Sequence, residues 1–376
     1  MAVQVVKKKV QLIAKDQEVK KPEPVSVSKG SKVSESDEII KAIQKTKGAG
    51  TVVAGNTIPT VTRIPTGLFE WDLATGGGFP RGRYSIVYGP ESSGKTNICY
   101  MAIAQAQKLP PPCNKAVLVD VEGTFDATWA AEFGVDTEKL ILVKPAYGEE
   151  AVDIIDALVR AEDIAIIVTD SVAALISIRE VDGSVEKADV GAASLLVRRL
   201  TNKVVVGLSE ESKRGHHPAL IFINQTRFKI GVMFGDPETM PGGQALKFYS
   251  SLTVRIYGKN KMEKSISSTL PMYKETSAII KKAKVGVTSY NFNYDMCILE
   301  THDMKIGATN SVNMVLNFLK EFNLLTKNPH GWELLGEMYK TQDLIKTRYI
   351  YEEDYRLELQ NIVIKETSKK VMLVGE

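Results

Sequence analysis

The chain has 376 residues, with 48 Lys and Arg against 45 Asp and Glu, so its net charge of +3 does not by itself mark a nucleic-acid binder, and any such surface must be local. Three scattered cysteines without C-x-x-C spacing argue against zinc and against a disulfide framework, which suits a reducing compartment. No apolar run approaches the roughly 20 residues of a membrane helix and the N-terminus lacks a signal-peptide core, so the expectation is a cytoplasmic protein with no membrane partner.

Residues 1–33 carry Lys7-Lys8-Lys9 and Lys20-Lys21 and no aromatic side chain, the composition of a disordered basic arm, either solvated or touching nucleic acid. Ser34 to Glu38 then signals a helix start, and Ile39, Ile40 and Ile43 lay one apolar stripe ending near Gly48. So short an amphipathic helix docks either on its own domain or on a neighbouring subunit. A second short helix is expected within Thr66 to Gly78. The main domain begins with a strand, Ser85 to Tyr88, followed by Gly89-Pro90-Glu91-Ser92-Ser93-Gly94-Lys95-Thr96 and a helix from Lys95 to Lys108. That loop fits G-x-x-x-x-G-K-[ST]: its backbone N–H groups cradle phosphates, Lys95 reaches the β- and γ-phosphates, and Thr96 ligates Mg²⁺. The helix N-terminus adds a favourable dipole.

Beyond it, apolar strands at Ala116 to Asp120, Leu140 to Val143, Ile164 to Thr169 and Ala219 to Ile223 alternate with helices at Ala127 to Phe133, Gly148 to Ala161 and Gly191 to Ser212. The pattern predicts an α/β fold, a mostly parallel twisted sheet with helices on both faces, and a ligand at the carboxyl ends of its strands. Asp170 ends one apolar strand and would hold Mg²⁺ opposite Thr96. Val119-Asp120-Val121-Glu122 ends another. Glu122, projecting beyond the sheet, is the better candidate to orient an attacking water, the competing reading being a cap or salt-bridge acid. Gln225 ends a third strand, where an amide can sense a γ-phosphate. The segment from Gln225 to Gln244, too long for a plain connection, mixes Arg227 and Lys229 with Phe228, Ile230, Met233 and Phe234 without strand or helix periodicity. That mixture suits single-stranded nucleic acid, with packing on its own core as the rival. Ser177 to Val190 is acidic and a poor DNA loop, although Arg198 and Arg199 follow it on a helix. After Leu252 to Tyr257, strands at Ser277 to Ile280 and Tyr294 to Ile298 flank a lysine-dotted loop, Gly258 to Thr276. A smaller α+β unit, 301–376, holds a helix from Ser311 to Leu325.

In order and spacing, the phosphate loop, Val119 to Glu122, Thr169 to Leu175, Phe222 to Gly235 and Gly242 to Tyr249 resemble the bacterial RecA recombinase family, strongly over residues 60–257 and more weakly to 376. The resemblance implies a RecA-like ATPase core at 61–300, an N-terminal polymerisation helix within 34–60, and a DNA-dependent ATPase. Such a protein forms a helical filament on single-stranded DNA and exchanges strands with homologous duplex, using ATP and Mg²⁺. It implies Glu122 as catalytic base, Gln225 as γ-phosphate sensor, and Asp126 and Trp129 at the adenine, where the family has an acid and a tyrosine. Lys282 and Lys284 match a lysine pair that reaches the neighbouring subunit's ATP, with Lys281 leaving the register ambiguous by one. Arg227, Lys229 and Ile230, with backbone amides near Gly242 and Gly243, match a DNA-binding loop. Lys247 and Phe248 match contacts to the adjacent protomer. Leu195 and Asn202 stand where the family has arginines, which leaves the phosphate contacts of Arg198 and Arg199 open, and the family's acidic tail has no counterpart. The basic arm and divergent C-terminal unit fit a virus-encoded relative. A ring-forming helicase motor and a mediator without useful turnover stay open beside the filament reading.

Overall fold

The computed structural model describes residues 34–53, 55, 60–178, 180, 191–228, 238–262, 271–300 and 304–374. The basic arm, most of Ser177 to Val190, and Lys229 and Ile230 lie outside the described residues. Helix α1 spans Glu35–Lys47. Ser34 accepts the Asp37 N–H while Asp37 accepts the Ser34 N–H, a capping box, and acids in the first turn oppose Lys45 and Lys47 in the last. No residue of α1 is fully buried: Ile39 is 54% exposed while Ile40 and Ile43 are half-buried, so the expected stripe is only partly covered.

Strand β1 (Arg63–Ile64) pairs with β2 (Phe79–Pro80) across α2 (Phe69–Thr75), a helix buried at all seven positions. Its two faces serve two cores. Trp71 joins the cluster under the main sheet, whereas Phe69 and Leu73 join the core of the C-terminal unit. The domain elements follow as β3 (Arg83–Gly89), α3 (Lys95–Gln107), β4 (Lys115–Asp120), α4 (Ala127–Glu132), β5 (Leu140–Val143), α5 (Gly148–Val159), β6 (Ile164–Asp170), α6 (Ala192–Arg214) and β7 (Ala219–Gln225). Then come β8 (Arg227–Phe228), β9 (Glu238–Thr239), α7 (Gly243–Tyr249), β10 (Leu252–Met262), β11 (Pro271–Ala283) and β12 (Asn291–Cys297).

The main sheet has eight strands in the order β12-β11-β10-β3-β7-β6-β4-β5. Pairings from β10 to β5 are parallel, and β11 is antiparallel to both its neighbours. Strands β6 and β7 are buried almost throughout because apolar clusters cover both faces of the sheet, which is why they read as unbroken apolar runs. The register sets Gly89 beside Gln225 and Asp120 beside Asp170, so one sheet edge collects the carboxyl ends of β3, β7, β6 and β4.

Three expectations change. Of the polar stretch Gly258 to Thr276, the described residues are strand: β10 extends to Met262 and β11 starts at Pro271, and the outward Lys259–Glu275 pair together with the inward Lys274 breaks the apolar alternation. The segment after Gln225 contains a two-residue ladder, Arg227 to Thr239 and Phe228 to Glu238, too short to give a period. In the C-terminal unit, α8 (Val312–Glu321) stops before Leu325 because Asn323 adopts φ 56°, and a three-stranded sheet, β13 (Leu325–Asn328), β14 (Gly331–Leu334) and β15 (Glu337–Tyr339), leads into α9 (Gln342–Tyr351) and α10 (Glu353–Val374). Among the described residues no helix is long and apolar enough to cross a membrane.

Candidate nucleotide site and the surfaces around it

The loop between β3 and α3 has the form its sequence demands. Gly94 caps α3 at φ 91°, a conformation that a side chain would strain. The Lys95 ammonium donates to the Gly89 carbonyl at 3.2 Å and the Pro90 carbonyl at 2.6 Å, folding back over the loop it belongs to. Burial lowers the Lys95 pKa, while Asp170, Glu122 and Glu91 oppose the shift and favour its charged form. Neighbouring strands press close: a methyl at Gly258 would lie 2.5 Å from the Ser93 carbonyl oxygen. The loop is therefore wedged between β10 and the helix it feeds.

Three strand-end acids separate by what they touch. Asp170 accepts the Thr96 hydroxyl at 2.7 Å; burial pushes its carboxyl up to about 6, with Glu122 and Asp120 adding to the shift and Thr96 and Lys95 opposing it. A hydroxyl and a carboxylate crowded by further negative charge form a donor set for a hard divalent cation, and Mg²⁺ typically takes few protein ligands beside phosphates and water. Asp120 instead accepts the N–H groups of Thr124 and Phe125, both at 3.1 Å, and so shapes the turn after β4. Glu122 is exposed, and its Oε1 accepts the Ser171 hydroxyl at 2.5 Å and the Gln225 side-chain amide at 3.3 Å. One carboxylate oxygen thus joins the ends of β4, β6 and β7. Ser171 is a contributor that residue-by-residue reading missed, although it follows the strand-end Asp170 directly.

On the base side, Asp126 caps α4 by accepting the N–H groups of Thr128 and Trp129. The Trp129 indole N–H donates to Asn97 at 3.2 Å, and its ring meets Phe133 edge-on. A cavity of about 380 Å³ runs from Ser92 to Asn97 past Trp129, Asn260, Lys274 and Ile298. Lys274 lies within the stretch read as a polar loop; no sequence signal separates it from the other lysines there.

Lys282 and Lys284 lie elsewhere. Both donate to the Phe248 carbonyl, at 2.6 and 2.9 Å, and Lys282 also to the Lys247 carbonyl at 2.6 Å. Their ammonium groups sit 5.8 and 5.5 Å from the centre of the Phe248 ring, which is 68% exposed. Thr253 pairs with Lys282 and Val254 with Ile280, so Lys281 is the extra residue of a bulge, and Lys282 and Lys284 are the two whose ammonium groups turn onto the Phe248 carbonyl. Lys247, Phe248, Lys282 and Lys284 thus form one cluster, where the sequence had offered two separate pairs.

Of the remaining candidates, Arg198 and Arg199 are exposed on α6, and Arg227 is exposed at the start of β8. Gly242 and Gly243 open α7 at φ 96° and 72°. The Asn224 side chain donates to the Pro241 carbonyl at 2.9 Å, tying the end of β7 to the chain returning from the segment that Gln225 begins.

A sequence profile described as the RecA N-terminal domain matches residues 34–297. Protein RecA of Oceanobacillus iheyensis is 43% identical over 223 residues, 58% of this chain and 62% of that protein. Protein RecA of Kineococcus radiotolerans is 39% identical over 263 residues, 69% of this chain and 72% of that protein. For Protein RecA of Thermus aquaticus the figures are 42% over 223 residues, 58% and 63%. The chain spans less than two thirds of the length of the Oceanobacillus and Thermus proteins. With the profile covering the phosphate loop, the strand-end acids and the Lys282–Lys284 strand alike, the chain belongs to the RecA family.

Proposed function

We propose that this protein is a DNA-dependent ATPase that forms a helical filament on single-stranded DNA and carries out homologous pairing and strand exchange in the cytoplasm. The observation that carries the reading is the Glu122 carboxylate, shared between Ser171 at the end of β6 and Gln225 at the end of β7. Glu122 accepts a proton from, and orients, the water that attacks the γ-phosphate. Gln225 cannot stay on Glu122 and bind a γ-phosphate equally well, so ATP competes for its amide and moves the first residue of the segment that carries Arg227, Lys229 and Ile230. Those side chains, the amides near Gly242 and Gly243, and Arg198 and Arg199 bind DNA: cations on phosphates, the apolar side chain on base faces.

ATP lies on Gly89 to Thr96, with its base against Trp129 and Asp126. Thr96 and Asp170 hold Mg²⁺, which when bound neutralises charge on the phosphate oxygens. Lys95 binds the β- and γ-phosphates. Lys282 and Lys284 act on the ATP of the adjacent protomer, with Lys247 and Phe248 in the same contact. The register supports this assignment, because Lys282 faces Thr253, which pairs with Ile86 well before the loop, whereas Lys274 faces Asn260 beside it. Helix α1, with no buried residue, docks on a neighbour.

The test is ATP turnover with and without single-stranded DNA, combined with electron microscopy of the complex. DNA-stimulated turnover on helical filaments is expected. Turnover indifferent to DNA would end the reading, and closed rings would replace the filament by a motor.

A further inference from the structure

Strand β11 alternates. Met272, Thr276, Ala278 and Ile280 are buried, and Ala278 and Ile280 belong to the core under α3. Lys274 occupies the same parity, so a cation stands in the inward-facing row. Its ammonium donates to the Ser92 carbonyl at 2.5 Å, and its stem packs where a side chain at Gly94 would touch it, 3.3 Å away. Burial lowers its pKa, and among the described residues no carboxylate lies within ion-pair distance to offset that cost. Neighbouring Glu275 points the other way, to Lys259 at 3.2 Å. An inward cation without an acidic partner, lining a cavity shared with Trp129, Asn97 and the loop crown, is matched to an anion entering that cavity.

We propose that Lys274 is a nucleotide-binding cation acting in its own subunit, donating to the α–β diphosphate that ATP and ADP have in common. The proposal rests on the nucleotide reading of the loop. Lys95 faces the sheet-edge acids Asp170 and Glu122, the γ-phosphate side. Lys274 stands across the loop, between the crown at Ser92 and Trp129, where the chain of phosphates must pass to reach the base. On binding, the ammonium exchanges the neutral Ser92 carbonyl for a charged phosphate oxygen, a stronger hydrogen bond.

The experiment is calorimetric titration of the full chain with Mg-ADP, with a non-hydrolysable ATP analogue and, by competition, with adenosine, for wild type, Lys274→Gln and Lys274→Arg. Glutamine keeps an N–H donor for the Ser92 carbonyl and removes the charge. Lys274→Gln is expected to weaken ADP and the analogue alike by about 10-fold, flatten the salt dependence of ADP binding, and leave adenosine within about 2-fold. Lys274→Arg should stay within about 3-fold of wild type, and in turnover Lys274→Gln should raise KM far more than it lowers kcat. Wild-type ADP affinity in Lys274→Gln would overturn the proposal and leave Lys274 as a brace for Ser92. Equal losses for ADP and adenosine would overturn it too, since only a collapsed site treats them the same. If wild type binds neither nucleotide, the failure belongs to the nucleotide reading itself.

Discussion

The two ends of β11 carry the same residue type to opposite purposes. At one end Lys274 points inward, onto the loop of its own subunit, and gives its hydrogen bond to the carbonyl of Ser92. At the other, Lys282 and Lys284 lie over Phe248 and give theirs to the carbonyls that close α7, at a surface with no phosphate loop of its own. A lysine near a carbonyl is thus not informative by itself. What assigns it to one nucleotide or another is its distance along the strand from Gly89, and whether the ring beside it is exposed for a second protomer to cover.

The largest expected effect breaks the outward end. Replacing Lys282 and Lys284 together by alanine should lower DNA-stimulated turnover by about 10³-fold, the size of a missing arginine-finger charge, while single protomers bind ADP as before. Mixing this double variant with Lys95→Ala protomers should restore part of the turnover, since each supplies what the other lacks; a mixture as inactive as its components would place the pair's action within one subunit. Glu122→Gln should cost about 10²-fold in turnover and leave filaments that assemble on ATP and fail to release DNA, followed by light scattering.

Next comes a pair of glycines, one inside β10 and one just beyond β11. Gly258→Ala brings a methyl within 2.5 Å of the Ser93 carbonyl and should destabilise the fold by about 2 kcal/mol in urea unfolding, with weakened ADP binding. Gly286→Ala, whose methyl meets nothing within 4 Å, should stay within about 0.5 kcal/mol. The smallest effect is Phe248→Ala: its ring is exposed and held by cation contacts, so turnover should fall about 3-fold on loss of roughly 0.5–1 kcal/mol of interaction, with no change in the stability of the isolated protomer. A protomer that unfolds more readily would mean that Phe248 serves its own core instead.

Much of this was legible before any coordinates. The loop Gly89 to Thr96, the ends of β4 and β6 and the sheet class follow from apolar runs and glycine placement, because buried parallel strands and phosphate cradles tolerate few alternatives. Less legible was the β10–β11 hairpin, where lysines on both parities, outward Lys259 and inward Lys274, imitate a loop. Asp120 and Glu122 could be ranked but not separated by sequence: both end one strand, and only the turn N–H groups on Asp120, against Ser171 and Gln225 on Glu122, divide a structural acid from a candidate base.

By itself the sequence determined which residues are candidates to bind phosphate and metal and in what order the strands carry them, since those properties are local, set by residue type and spacing over a few positions. Tertiary structure decided the company they keep. It brought Glu122 under Gln225 across 103 positions of chain, set Lys274 against Ser92 across 182, and used the Lys281 bulge to turn Lys282 and Lys284 onto Phe248. Such pairings depend on strand order and register, which long-range packing selects and no short window of residues encodes.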